Sequence, residues 1–307
     1  MKKKIHIKSP SEIFTDLQYN NTTQKNINCI NLTSSSVMNH LNEPILLKAS
    51  IAILVLSGTA SLSINYKTYQ LFPSRLILLS ASHLFNFENC SSDFECIFLF
   101  VTRDFTDEMD STDMVYKRIR YEVITFRNPT IQISKTESCS LERRLKNLGE
   151  ALENEGHLYY KEVILNALIA FYLDLSHIID QQKELFERTG ETRQEYIMKK
   201  FIELLALYYH QEHKVDFYAT RLNLSSHYLT LVVKRITGQS VSDFIFEMLY
   251  SEARNLLTNS KLSIQEISMK LNFSDQSAFG KFFKRRSGIS AANYRKKGIE
   301  TITNLAL

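Results

Sequence analysis

Cysteines and long apolar runs are scarce in this 307-residue chain. The few cysteines show no C-x-x-C spacing, which argues against a disulfide framework or a zinc site and favours reduced thiols in a cytosol. They are Cys29, Cys90, Cys96 and Cys139. The longest apolar runs, such as Ile51–Leu56, are far too short to cross a membrane, and the basic start Met1–Lys4 is followed by no signal-peptide core. We therefore expect a cytoplasmic protein with no membrane partner.

The usual catalytic patterns are also missing from the sequence. We find no nucleophile–base pair, no carboxylate pair, no cluster of metal-binding side chains and no phosphate-binding loop. We therefore expect that the protein is not an enzyme and that it binds no metal and no cofactor.

Charge is distributed unevenly along the chain. The net charge is +4, yet residues 191–298 hold 17 Lys and Arg against 10 Asp and Glu, while residues 1–190 hold 20 against 22. The first of these segments therefore carries +7 and the second −2. Lys and Arg supply most sequence-independent affinity for DNA, so the basic segment is the candidate for a nucleic-acid interface.

The segment Ile264–Arg295 has the pattern of a helix, a tight turn and a second, basic helix. Ile264, Ile267 and Leu271 share one helical face, and Asn272 follows where the chain must turn, since Asn tolerates left-handed backbone. Ser274 is then expected to cap a helix that ends at Gly288. The apolar face of this second helix consists of Ala278, Phe279, Phe282 and Phe283.

The same pattern occurs upstream in Val215–Gly238. The turn Leu222–Ser225 matches Leu271–Ser274 at an offset of 49, and the residues that follow match at an offset of 50. Between the two copies, an apolar stripe predicts one long helix that holds them rigidly. The stripe contains Val241, Phe244, Ile245, Met248, Leu249, Ala253, Leu256 and Leu257.

These motifs closely resemble the DNA-binding domain of the AraC/XylS family of bacterial transcription regulators. The matching residues are Ala219, Leu222-x-Leu224-Ser225, Tyr228-Leu229, Lys234-x-x-Thr237-Gly238, Ala253, Leu256-Leu257, Ile267, Phe273, Phe279-x-x-x-Phe283-Lys284-x-x-x-Gly288 and Tyr294-Arg295. They cover about a third of the chain. Asn272 departs from the usual Gly, Leu249 from a common Arg, and Ala291 or Ala292 from a common Pro. The resemblance implies double-stranded DNA and RNA polymerase as partners.

The exposed start of each second helix is predicted to read bases in the major groove, which distinguishes base pairs by hydrogen bonds and the thymine methyl group. The predicted base-reading residues are Ser226, His227, Thr230 and Leu231 in the first copy and Gln276, Ser277, Gly280 and Lys281 in the second. Gly280 has a second interpretation, as room for close backbone approach. The predicted phosphate contacts, which position without specifying, are Lys234, Arg235, Lys284, Arg285 and Arg286.

From Ile45 to Val101 short apolar runs alternate with turn residues, which predicts a β-sandwich or barrel. The segment weakly resembles the cupin-like sensor half of the same family. Many cupins bind metal through a His-x-His pair, which is missing here. Candidate effector contacts are His83, Phe85 and Tyr66, although aromatic residues at strand spacing are more often simple core.

From Ser140 the pattern becomes helical. Leu141, Leu145, Leu148 and Leu152 form one seam, and Leu158–Ile179 is apolar on more than one face. We interpret the second of these helices as a subunit interface, with an intrachain hairpin as the alternative.

Together these patterns predict an α+β protein of several domains. We expect a cupin-like β-barrel sensor domain at 1–137, a helical dimerisation and linker region at 138–190, an all-α AraC-type domain at 191–298 with helix-turn-helix motifs at 215–238 and 264–288, and a tail at 299–307. The expected function is that of a sequence-specific DNA-binding transcription regulator, an activator and homodimer with a small-molecule effector site in its N-terminal half. One alternative is a ligand-independent regulator whose N-terminal half serves only dimer or protein contacts. The other is a cupin enzyme tethered to DNA.

Overall fold

The computed structural model describes residues 6–8, 26–81, 83–102, 105, 124–126, 128–182 and 192–296. These residues fall into two compact units. One contains the described residues up to 182 together with 236–238, and the other contains 192–235 and those from 239 onward. Residues 183–190 of the predicted dimerisation and linker region, the tail 299–307 and most of 103–123 lie outside the described residues.

The first unit is built mainly of strands. They are β1 His6–Lys8, β2 Ile27–Thr33, β3 Ile45–Leu47, β4 Ser50–Ser57, β5 Ala60–Ile64, β6 Lys67–Leu71, β7 Arg75–Leu79, β8 Leu84–Cys90, β9 Glu95–Val101 and β10 Thr130–Gln132. Three helices accompany them, α1 Ser34–His40, α2 Lys135–Glu153 and α3 Tyr160–Gln181.

The strands form two five-stranded sheets. One has the order β1-β3-β8-β5-β6 and the other the order β10-β7-β4-β9-β2. All neighbours are antiparallel except β1 and β3. In the second sheet Ile53 of β4 lies opposite Ile77 on one side and Phe98 on the other, so β4 is a central strand.

Both faces of the second sheet are covered, which explains why β4 and β9 read as continuous apolar runs. One face, with Ile53 and Phe98, shares a core with Leu62 and Phe87 of the first sheet. The opposite face, with Leu54 among its residues, packs against the helices α2 and α3. The seam Leu141, Leu145, Leu148 and Leu152 is buried in this second core, as predicted.

Helix α3 is long and apolar enough to span a bilayer by length and composition alone. Core helices of soluble proteins pass the same test. Here Leu168, Phe171 and Leu175 are buried against the sheet and α2.

The second unit is helical. Its helices are α4 Arg193–Tyr208, α5 Val215–Arg221, α6 Ser226–Thr237, α7 Val241–Asn259, α8 Ile264–Lys270 and α9 Gln276–Ser287, and residues 291–296 are also helical. Capping boxes begin α4 at Thr192, α7 at Ser240 and α8 at Ser263, each with an acidic residue three positions later. In α4 the side chains of Met198 and Phe201 are buried, whereas that of Tyr196 is 50% exposed.

The predicted α+β class is confirmed, with strands in the N-terminal unit and helices in the C-terminal unit.

Candidate nucleic-acid interface

Two helix-turn-helix units occur in the second unit. The first pairs α5 with α6 and the second pairs α8 with α9. Both turns contain an asparagine in the left-handed region, Asn223 at φ 56° and Asn272 at φ 54°. Both second helices are followed by a glycine at φ 76°, Gly238 and Gly288. The repeat seen in the sequence therefore extends to the backbone dihedral angles.

The start of each second helix is fixed by a side-chain cap. Ser225 Oγ accepts a hydrogen bond from the Tyr228 N–H at 3.2 Å in the first unit. In the second unit the cap is Asp275, whose Oδ1 accepts from the Ala278 N–H at 2.8 Å. The prediction that Ser274 caps this helix is wrong, because one extra residue in the turn moves the capping position on by one. The two caps therefore lie 50 residues apart, like the helices that they begin.

Large buried side chains support both second helices. Leu229, Val232 and Val233 of α6 are fully buried, as are Phe279 and Phe283 of α9. Ring contacts extend the cluster around α9: Phe283 lies 5.5 Å from Tyr250 of α7 and 5.2 Å from Tyr294, between ring centroids. Such packing leaves little freedom for α9 to rotate and fixes which of its side chains face solvent.

Helix α7 connects the two helix-turn-helix units. Its predicted apolar stripe is buried along the whole length of the helix. Leu249, which stands where many members of the family carry Arg, is among these buried residues. An uncharged residue suits that position here, because a buried guanidinium would need partners to offset its desolvation.

The predicted base-reading residues lie at the accessible starts of α6 and α9. His227, Leu231, Gln276, Ser277 and Lys281 are exposed, and Ser226, Thr230 and Gly280 are partly exposed. The structure thus gathers them as two groups, one on each second helix.

The predicted phosphate-contacting residues lie in the last turns of the same helices. Lys234, Arg235, Lys284 and Arg285 are exposed, and Arg286 is partly buried. Each second helix therefore carries a polar start and a basic end. Positive side chains at a helix C-terminus also interact favourably with the helix dipole.

One acidic group belongs to this surface. The pKa of the Asp275 carboxyl is lowered by the hydrogen bond from the Ala278 N–H, by that from the Ser274 hydroxyl and by the charge of Lys281. Asp275 is therefore ionised at neutral pH. Its negative charge lies beside Lys281, so the start of α9 is less positive than its last turn, which carries Lys284, Arg285 and Arg286.

Two contacts were missed by sequence reasoning. Ser226 Oγ donates to the carboxylate of Asp216 in α5, so a predicted base-reading hydroxyl has a partner within the protein. Asn272 Nδ2 donates to the main-chain carbonyl of Gln211 at 2.6 Å, 61 residues away. The first lies within one motif and its spacing could have suggested it, whereas no local pattern predicts the second.

The candidate effector residues of the N-terminal unit lie on neighbouring segments, since Asn65 Oδ1 accepts from the Leu84 N–H at 3.0 Å, but their side chains differ in burial. Phe85 is fully buried in the core between the sheets, whereas Tyr66 is 77% exposed in a turn, with φ at 67°. His83 is buried: its Nδ1 accepts from the Ser80 N–H at 2.9 Å, and its Nε2 lies 3.3 Å from the Phe126 carbonyl oxygen. Burial lowers the pKa of His83, so the ring is neutral. The three side chains face three different environments.

The cysteines are free thiols. Burial raises the pKa of Cys29 to about 12 and that of Cys90 to about 11, and it raises the pKa of Cys96 as well. Thiols of this kind are protonated at neutral pH and react poorly. Within the described part of the chain, no group of three or more His, Cys, Asp or Glu side chains could hold a metal ion.

Parts of this chain are similar to known proteins. A family described as a helix-turn-helix domain matches residues 218–297. The Msm operon regulatory protein of Streptococcus mutans is 39% identical over 84 residues, which are 27% of this chain and 30% of that protein. The HTH-type transcriptional activator RhaR of Salmonella schwarzengrund is 27% identical over 104 residues, 34% of this chain and 37% of that protein. The chain thus spans about a third of the length of these two relatives.

Among solved structures, ToxT from Vibrio cholerae is 13% identical, and the alignment covers 88% of this chain and 97% of that one with a TM-score of 0.32. The family match covers residues 218–297, and the helix-turn-helix geometry occurs twice between residues 215 and 287. Residues 218–297 are therefore a helix-turn-helix domain of the AraC type, and through this domain the chain is related to the AraC family of transcription regulators.

Proposed function

We propose that the chain is a sequence-specific DNA-binding transcription regulator that reads two successive major grooves with α6 and α9. The observation that carries this proposal is the pair of equivalent helix-turn-helix units joined by the buried helix α7. A major groove admits one helix, and two recognition helices held by one rigid connector suit two grooves about 34 Å apart on one face of the duplex.

In this proposal the residues divide by position. Side chains at the starts of α6 and α9 contact base edges, and those in the basic last turns contact phosphates. The site is asymmetric, because the two starts differ: Ser226 and Thr230 offer hydroxyls, whereas Gln276 and Lys281 offer an amide and a charge. The proposed role is that of a cytoplasmic activator that also contacts RNA polymerase, and not that of an enzyme.

The experiment that tests this function is a binding titration of the purified full chain on duplex DNA over a range of salt concentrations. If Lys and Arg contact phosphates, the logarithm of the binding constant falls linearly with that of the salt concentration, with a slope of about −0.9 for each phosphate neutralised. Affinity that stays flat between low and physiological salt would contradict the proposal.

We also propose that the chain forms a homodimer through the outward face of α3. Val163 and Leu173 of α3, and Tyr159 just before its start, are exposed at the spacing of one helical stripe, and the other face of the helix is buried against the sheet and α2. Apolar side chains repeated along one exposed helix face are typical of an interface.

A ligand-independent regulator is the second candidate, and one observation favours it. Aromatic side chains are buried in the core between the two sheets, among them Phe85, Phe87 and Phe98, and the three candidate effector residues differ in burial. If this candidate is correct, adding the small-molecule fraction of a cell extract leaves the affinity of the full chain for DNA unchanged. A reproducible change in affinity would instead support an effector site in the N-terminal half.

A further inference from the structure

A short loop, residues 209–214, joins α4 to the first helix-turn-helix unit, and we call it the brace loop. It turns tightly after α4, where the Gln211 and Glu212 N–H groups both donate to the Tyr208 carbonyl, at 3.0 and 2.8 Å. Three consecutive residues of this loop, Gln211, Glu212 and His213, contact side chains of both helix-turn-helix units.

The first helix-turn-helix unit contacts the brace loop through Tyr218 of α5. Its hydroxyl donates to the Glu212 carbonyl at 2.8 Å, and its side chain is fully buried. A buried tyrosine ring has little freedom, so the position of Glu212 is fixed relative to α5.

The second helix-turn-helix unit contacts the same loop through the turn before α9. Asn272 Nδ2 donates to the Gln211 carbonyl at 2.6 Å, and the Phe273 ring lies 5.1 Å from the His213 ring. Phe273 in turn contacts Phe279 of α9, with 5.4 Å between ring centroids. A continuous path of contacts therefore leads from α5 through the brace loop to α9, in addition to the covalent connection through α7.

Backbone conformation alone does not account for Asn272. Asn223 occupies the same place in the first unit with nearly the same φ, yet among the described residues its side chain makes no hydrogen bond. An asparagine is therefore sufficient for the turn in both units, and the bond to Gln211 is an additional contact of Asn272.

We propose that Asn272 is a positioning residue whose bond to the brace loop sets the orientation of one recognition helix relative to the other. This inference depends on the proposed function, because its consequence is the spacing of the two DNA segments that the chain reads. A fixed orientation means that little conformational freedom is lost on binding, which raises affinity for a site of the correct spacing.

Hydrogen exchange in the DNA-free full chain tests the contact itself. Asn272→Gly keeps the left-handed turn without strain and removes only the side chain. We expect faster exchange in residues 209–214, which are distant in sequence from the substitution, and no change there in the matched control Asn223→Gly. Equal exchange of the brace loop in both variants would overturn the proposal, whether or not the chain binds DNA.

DNA binding tests the consequence. On its selected site we expect Asn272→Gly to bind about five-fold more weakly than wild type, as for the loss of one hydrogen bond that orders the protein, and to discriminate less against a site with one base pair inserted between the two halves. Asn223→Gly should match wild type in both respects. On DNA that carries only the half-site of α9, Asn272→Gly should also match wild type.

Each other outcome has a separate meaning. Unchanged affinity and unchanged spacing preference in Asn272→Gly would overturn the positioning role. Equal losses of affinity on the full site and on the half-site would place the effect within the second helix-turn-helix unit. That result would also overturn the positioning role. Failure of the wild-type chain to prefer any sequence would contradict the proposed function, while the exchange measurement still decides whether the brace exists.

Discussion

At the scale of single residues, Lys281 and Lys284 lie on the same helix but are expected to contact different parts of the DNA. Lys281 is near the polar start of α9, and Lys284 is in its basic last turn. We predict that Lys281→Ala costs about 1 to 3 kcal/mol at the specific site and relaxes the preference at one base pair. Lys284→Ala should weaken binding to all sequences alike.

The measurement is binding of both variants to the selected site and to its single-base variants at one salt concentration. Uniform loss for Lys281→Ala would assign that side chain to the phosphate backbone. Gln276 would then remain as the main candidate for base reading in α9.

His83 makes the stability of the N-terminal unit depend on pH. Its Nδ1 faces the Ser80 N–H and accepts from it, so a protonated ring would bring two donors together. Burial lowers the pKa of His83 below its ordinary 6.5, so the unfolded chain binds the proton more readily than the folded one. The contribution of neutral His83 to the free energy of unfolding is therefore fully present above pH 6.5. It is lost as the pH falls toward the lowered pKa of His83.

Denaturant unfolding of the full chain at pH 7.5 and at about pH 5.5 measures this effect. The loss of stability between the two should be smaller in His83→Gln than in wild type. His227, which is exposed, provides the control, and His227→Gln should behave as wild type. Identical pH dependence in all three proteins would show that His83 is not the titrating group.

Residue positions were predicted well where a local pattern determines them and poorly where they depend on distant parts of the chain. The left-handed turn at Asn272 and the stop at Gly288 follow from backbone preference. The cap at Asp275 was assigned one residue early, since the shift in the repeat does not show which turn residue is the additional one. The bond from Asn272 to Gln211 depends on tertiary structure and could not be predicted.

At the scale of elements, Gly280 within α9 and Gly288 just after it should respond oppositely to replacement by alanine. Gly280 is inside the helix and a Cβ there would meet no atom within 4 Å, so Gly280→Ala should stabilise the fold by about 0.5 to 1 kcal/mol. Gly288 has equal space but a φ of 76°, so Gly288→Ala should destabilise it by about 1 kcal/mol. Denaturant unfolding of the full chain measures both.

The same substitution tests the role of Gly280 in binding. If Gly280 leaves room for close approach of DNA, Gly280→Ala should bind more weakly although it is more stable. Stability and affinity that rise together would contradict that role and leave Gly280 without a part in recognition.

Helices were easier to predict than the roles of their faces. The stripe of α7 and the seam of α2 appear in the sequence because each has one buried face with a helical period. The apolar positions of α4 extend around more than one face, so a helical period alone does not show that Met198 is buried and Tyr196 is exposed. The sheets were recognisable from their spacing, but their strand order depends on pairing between distant segments.

At the scale of the whole molecule, the exposed face of α3 predicts self-association. Leu173 is 48% exposed on that face, so Leu173→Glu should shift the full chain from dimer to monomer in sedimentation experiments. Leu207, an exposed leucine of α4, provides the matched control, and Leu207→Glu should leave the association unchanged. A wild-type chain that stays monomeric at high concentration would exclude this interface.

The central claim is that one chain reads two successive major grooves, and a footprint of guanine N7 groups tests it most directly. N7 lies in the major groove, so methylation protection by the full chain on its selected site reports which grooves are occupied. We predict two protected segments about one helical turn, or roughly 10 base pairs, apart on one face of the duplex, of which Lys281→Ala weakens only one. A single protected segment, or protection on opposite faces, would contradict the account.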